Sequence, residues 1–186
     1  KVLITDNNNN LSILITPAEL IRDDTVDEFS KLAKSRPNIL LSANRCKAIG
    51  INTDDKPCSI LIKKNWNSSD IMSICLPLSN QDKPEISGVI SESTQGIASS
   101  ALLLLRQARL LPAAIISLVS YIPIENTRNW CFKNSLIHVE LQDIIMYEEI
   151  SADSLVMEVK ANVPLSHTDN CEIVMFRPRD GGNEHF

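Results

Sequence analysis

GIASSALLLLRQARLLPAAIISLV, Gly96 to Val119, is the stretch whose reading decides the fold. Its first half predicts a helix over Ser99–Arg109. Leu102 to Leu105 place four leucines in succession, so the helix is apolar all round, and such a helix is buried on more than one side. A sheet takes one side and a second subunit is a candidate for another. Pro112 ends the helix, because proline has no N–H to give and its ring clashes with the preceding turn. The second half, AAIISLV, predicts a strand with too little alternation to face water. Ile97 to Val119 is also the most apolar part of the chain. Arg106, Arg109 and Pro112 interrupt it, so it reads as a helix followed by a strand and not as a membrane span.

Working outward, the same pairing of elements recurs. Val2–Thr5 predicts a strand and Asp6–Asn10 its turn, since Asn and Asp tolerate left-handed backbone and bond locally. Leu11–Ile15 is a second apolar run. Asp24 or Thr25 caps a helix from Val26 to Ser35, with Val26, Phe29, Leu32 and Ala33 on one face. NILLS is a strand, Arg45–Ile49 a short helix closed by Gly50, and SILIKK another strand. Asn65 to Glu92, broken by Pro77 and Pro84, predicts loops with a short element around Ile71–Leu76. Leu136–Val139 is a strand and Leu141–Tyr147 a helix. Composition shifts at Glu148. LVMEVKANVPL and EIVMFRP then alternate like new strands, so a domain boundary is expected near Ser151–Ser154, dividing 1–150 from 151–186. Alternating strands and helices predict an α/β (α+β) fold with a mixed sheet.

Composition narrows the function classes. The chain has 186 residues, 44% of them apolar, which suits a globular domain with a real core. Net charge is −5, with no basic stripe of the kind a general nucleic-acid binder carries. IKKN, Ile62–Asn65, reads as a solvated strand end. The five cysteines form no CxxC pair and no zinc-finger spacing, which predicts reduced, structural thiols and a cytoplasmic chain. No signal peptide is evident at Lys1. The start on Lys1 and the close on GGNEHF suggest a piece of something longer.

Residue chemistry alone names no active site. GxSxG, Walker and GxGxxG motifs are missing from the sequence. His138 at a strand end reads as a hydrogen-bonded surface group rather than a base. Asp23-Asp24, Asp54-Asp55 and Glu148-Glu149 read as solvated turn pairs. The run TDNNNN, Thr5 to Asn10, is the exception: it places amides at a strand end, where metal enzymes often carry carboxylates.

Gly96–Val119 resembles dihydroxybutanone phosphate synthase, a family with Gly-His-Thr-Glu at a helix start, an Ala/Leu-rich helix, a Leu-x-Pro turn and a strand ending Ile-Cys-Glu-Ile. SANRCKAIGI (Ser42–Ile51) is similar to its Thr-x-x-Arg-Cys-x-x-Leu-Gly-Leu. NSLIHVELQDIIMYE (Asn134–Glu148) is similar to its closing Gly-Leu-Lys-x-x-Ser-Ile-x-Asp-Leu-Ile-x-Tyr. VLITDNNNN sits where the family has Val-Val-Asp-Asp and then Arg-Glu-Asn-Glu-Gly-Asp. The resemblance is weak from Asn52 to Gln95. Ala161–Phe186 resembles the start of GTP cyclohydrolase II, with its Ala-x-Leu-Pro-Thr and Gly-x-Glu-His, in the domain order of bifunctional riboflavin-pathway proteins.

The resemblance implies an Mg²⁺-dependent lyase that turns ribulose 5-phosphate into dihydroxybutanone phosphate and formate. The departures argue the other way. The family's histidine falls on Ile97, its threonine on Ala98, the following glutamate on Ser99 and the strand-end glutamate on Leu118. Asp6 keeps one carboxylate of the opening pair, Thr5 replaces the other, and the acidic turn becomes Asn7–Ser12. No arginine stands in Ser69–Ile74, where the family has Asp-Arg-Ala, and ISGVIS (Ile86–Ser91) replaces Pro-Gly-His-Val-Phe-Pro. Hard cations want anionic oxygens, and amides bind Mg²⁺ poorly without them.

Asp6, Asn10, Gly96, Ile97, Ala98, Ser99 and Leu118 are therefore expected to form a degenerate site with no catalytic residue and no metal. The amides at Gly96, Ile97 and Ala98 are left as a phosphate cradle for a sugar phosphate. Two functions stay open. One is a pseudoenzyme domain that serves dimerisation, as a homodimer, or supports a cyclohydrolase. The other is an active lyase with altered residues. A complete cyclohydrolase would need zinc, and Cys171 alone past the boundary cannot hold it. No nucleic-acid or membrane partner is expected.

Overall fold

Successive residues of the central strands enter opposite cores. Leu3, Leu14, Ile39, Leu41 and Ile115 belong to one buried cluster. Ile4, Ile13, Ile15, Leu40, Ala114 and Ile116 belong to another. A period of two in side-chain direction gives this division, and both halves are apolar, so both faces of the sheet are covered. The computed structural model describes residues 1–77, 84–93, 96–119, 122, 126–164, 166–167, 171–179, 181–182 and 184–186. The chain divides into two compact units, Lys1–Ile144 and Ile145–Phe186.

The first unit holds seven strands: β1 (Val2–Asp6), β2 (Leu11–Pro17), β3 (Asn38–Leu41), β4 (Cys58–Leu61), β5 (Val89–Ser91), β6 (Ala113–Leu118) and β7 (Ile137–Glu140). Their order across the sheet is β5-β4-β3-β6-β2-β1-β7. Only the edge pair β1–β7 is parallel, so the sheet is mixed, as expected from the sequence.

Helix α1 (Thr25–Ala33) and the following α2 (Ala43–Ala48), α3 (Ser68–Cys75) and α5 (Thr127–Lys133) contribute Phe29, Cys46, Ile71 and Cys131 to the first cluster. Helix α4 (Ile97–Gln107) contributes Ala98, Ala101, Leu102 and Leu105 to the second. Leu102 and Leu105 are buried, while Leu103 and Leu104 are half-buried. The four-leucine run therefore meets the sheet on one side and keeps its other side partly open within this unit.

Several boundaries differ from the sequence expectation. α4 begins at Ile97, two residues early, with Gly96 as its N-cap. α2 begins at Ala43 because the Ser42 side chain accepts from the Arg45 N–H, a cap worth about 1 kcal/mol. The short element becomes α3, started by a capping box in which Asn67 and Asp70 exchange hydrogen bonds. β4 stops at Leu61, so Lys63 and Lys64 lie beyond it. α6 (Leu141–Asp153) runs past Tyr147, since no glycine or proline stops it, and the division between the two units falls inside it.

In the second unit, β8 (Leu155–Asn162) and β9 (Glu172–Pro178) form an antiparallel pair with a register shift between Met157 and Val159. Lys160 and Glu172 pair across it at 2.6 Å. Among the described residues, no helix is long and apolar enough to cross a membrane. All five cysteines are free, four of them buried.

Candidate functional site

The turn that raised the question of a metal is closed by its own aspartate. Asp6, the last residue of β1, is 5% exposed. Its Oδ1 accepts from the backbone N–H of Asn8 at 3.1 Å and of Asn9 at 3.2 Å. Its Oδ2 accepts from Asn9 Nδ2 at 2.7 Å. An Asx-type turn of this kind uses a carboxylate to replace backbone partners. Asn10 completes the reversal in the left-handed region at φ 52°. Asparagine takes that conformation more readily than most residues. The asparagine run is thus sufficient for a tight hairpin between β1 and β2, and it occupies the carboxylate in the process.

Strand pairing brings Leu118 to the same end of the sheet. Leu11 lies opposite Asp6, and Leu118 lies opposite Ile13. Leu118 is 50% exposed, and its carbonyl accepts from the Ser35 hydroxyl. Leu11 is also exposed and shares its face of β2 with Ile13. Where an active synthase is expected to carry a glutamate, this sheet end presents two leucines.

Thr5, beside Asp6, is buried and bonded through Oγ1 to His138 Nε2 at 2.9 Å. The bond ties β7 to the neighbouring β1 through side chains as well as backbone.

The remaining positions lie on α4. Gly96 caps it without a side chain, and Ala98 is buried in the second cluster. The Ser99 hydroxyl donates to the Ser93 carbonyl. Ser99 also lines a cleft of about 320 Å³ with Ser42, Asn44, Asp55, Arg106 and Pro112. Sequence reading missed this cleft. A separation of seven residues puts Ser99 and Arg106 on one helix face, which was a readable signal, but Ser42 and Asp55 reach the cleft only through the fold.

The positions carried over from the resemblance offer few oxygen donors for a hard divalent cation. Ile97, Ala98 and Leu118 carry no side-chain oxygen, and the Asp6 oxygens are already accepting three hydrogen bonds. Among the described residues, no group of three His, Cys, Asp or Glu side chains converges as a metal site would require.

Arg45, which matches the arginine of the family's Arg-Cys motif, has a clear structural task. Its guanidinium donates to the carbonyls of Ile74 at 2.8 Å and Leu76 at 2.5 Å, with a longer contact to Ser73 at 3.4 Å. It thereby satisfies the carbonyls that the end of α3 leaves open. Burial lowers its pKa.

No protein-family model matches the chain. A GTP cyclohydrolase-2 from Azospirillum brasilense is 38% identical over 87 residues, which is 47% of this chain and 22% of that protein. The chain thus spans about a fifth of the length of the curated relative it matches.

Three solved structures share the fold. A two-domain 3,4-dihydroxy-2-butanone 4-phosphate synthase from A. baumannii superposes with a TM-score of 0.61 at 15% identity, over 95% of this chain and 62% of that one. The synthase of Candida albicans gives 0.61 at 15% identity, over 79% and 90%. A synthase solved with two magnesium ions gives 0.61 at 14% identity, over 81% and 91%. The chain has the dihydroxybutanone phosphate synthase fold. The two families named from the sequence are the two that these comparisons return.

Proposed function

We propose that the first unit is a catalytically inactive synthase-like domain that supports a GTP cyclohydrolase II in riboflavin synthesis. The observation that carries this reading is the Asp6 carboxylate, which is held by Asn8 and Asn9 as a turn anchor. The lyase reaction requires proton abstraction beside a carbonyl and a metal to hold the resulting enediolate. Ile97, Ala98 and Leu118 supply neither base nor ligand, and losses among groups that act as a unit remove the whole activity.

The retained role is packing. Leu11 and Leu118, together with Ile137 and Phe132, keep apolar side chains exposed on the first unit. They supply surface for a homodimer contact or for a cyclohydrolase domain. The likeness to a GTP cyclohydrolase-2 supports the second partner. A cytoplasmic location follows from the pathway.

The test is formate release from ribulose 5-phosphate with excess Mg²⁺, beside an active synthase. The expected result is no release above the buffer control. Turnover within a few orders of magnitude of the active enzyme contradicts the proposal and revives the lyase with altered residues.

A further inference from the structure

A groove on the first unit lies away from the Asp6 turn. It encloses about 870 Å³ between α1, α3 and the segment that follows β4. Five cationic side chains and two carboxylates line it, in a chain whose net charge is −5. A local excess of positive charge in an acidic protein concentrates anions there.

Both carboxylates lie toward one end of the groove, where Arg22 also lines it and pairs with Asp24 at 3.7 Å. Asp23 and Asp27 line it at the start of α1, and Ser30 and Lys34 follow toward the end of that helix. Lys34 is the helix C-cap, in the left-handed region at φ 54°. Beyond it, Arg36 is fixed by donating to the Ile62 carbonyl at 2.6 Å. Lys63 pairs with Glu85 at 3.4 Å and stands 6.0 Å from the centre of the Trp66 ring. The Lys34 and Lys64 side chains are exposed. Trp66 packs partly on the core and also lines the groove, where it offers a flat apolar surface.

We propose that this groove binds a phosphorylated ring compound of the nucleotide class. Lys34, Arg36 and Lys64 meet the phosphates. Trp66 meets the ring, as aromatic side chains do through stacking. Asp27 and Asp23 Oδ2 accept from the hydroxyl or amino groups at the ligand's other end, while Asp23 Oδ1 already accepts from the Ser68 hydroxyl. The volume lies in the range typical of small-molecule sites. The site shares no residue with the Asp6 turn or α4, so it stands or falls separately from the loss of lyase chemistry.

The experiment is calorimetric titration of the full 186-residue chain with ATP at low salt, with tripolyphosphate and adenosine as separate titrants. ATP is expected to bind saturably below millimolar concentration, more tightly than either part alone, and to weaken as salt is raised. Lys34→Glu with Lys64→Glu changes two exposed side chains and is expected to weaken ATP by at least about tenfold. Trp66→Leu is expected to weaken ATP while leaving tripolyphosphate unchanged. ATP binding that survives the double charge reversal overturns the proposal. So does the absence of saturation at millimolar ATP, equal binding of ATP and tripolyphosphate, or binding of an oligonucleotide without binding of ATP.

Discussion

Asn9 meets Asp6 twice, once through its backbone N–H at 3.2 Å and once through its side-chain amide at 2.7 Å. The side-chain contact is separable by mutation, because alanine at position 9 keeps the backbone N–H. A charge-assisted hydrogen bond of this length contributes about 1.5–3 kcal/mol, less whatever water returns to a partly open turn. Asn9→Ala is expected to lower unfolding free energy by about 1–2 kcal/mol in urea titrations. An unchanged midpoint would show that the amide contributes nothing to the turn.

Arg45 joins α2 to the end of α3, across 29 residues of sequence to Ile74. Truncation to alanine leaves the Ile74 and Leu76 carbonyls without their donors, so Arg45→Ala is expected to cost about 2–3 kcal/mol. Arg45→Lys is expected to recover only part of this, since an ammonium cannot reproduce the fork of guanidinium donors. Denaturant unfolding of both variants checks the order.

Burial pushes the Cys75 thiol up to about 12. Its unfolded value is near 9, so the folded state holds the proton more tightly. The resulting stability is complete below about pH 9 and is lost as pH rises toward 12. Cys75→Ala is expected to flatten that decline, measured as unfolding free energy against pH. The same burial makes Cys75 slow to react. A thiol reagent added to the native protein at neutral pH should modify Cys171 first, because Cys46, Cys58, Cys75 and Cys131 are buried. Fast labelling of Cys75 would contradict its burial.

The sequence revealed elements wherever period and punctuation agreed. Pro112 and the seven apolar or small residues after it located β6, and the four asparagines located the β1–β2 reversal. α5 went unread because TRNWCFK offers only Trp130, Cys131 and Phe132 as apolar residues, adjacent rather than spaced as a helix face requires. β5 is three exposed residues, too short for alternation to register. The proposal of a degenerate site rests on residue types alone: leucine and isoleucine side chains carry no atom that ligates a hard cation.

The groove was not legible. Lys63 and Lys64 read as a solvated strand end when taken in sequence order. Only the fold adds Lys34 and Arg36, which arrive from the far end of α1. The cleft at Ser99 is a similar case, since Asp55 reaches it from a distant turn.

The central claim is that Asp6 serves the turn and no metal, and Mg²⁺ titration of unfolding tests it most directly. A ligand held by the native state alone raises stability by about 2.7 kcal/mol at one hundred times its dissociation constant. The account predicts that micromolar to millimolar Mg²⁺ leaves the denaturation midpoint of the unsubstituted chain unchanged, while Asp6→Ala lowers that midpoint equally with and without Mg²⁺. A saturable rise at micromolar Mg²⁺ that disappears in Asp6→Ala would contradict it, and would place a cation where the asparagine turn now holds the carboxylate.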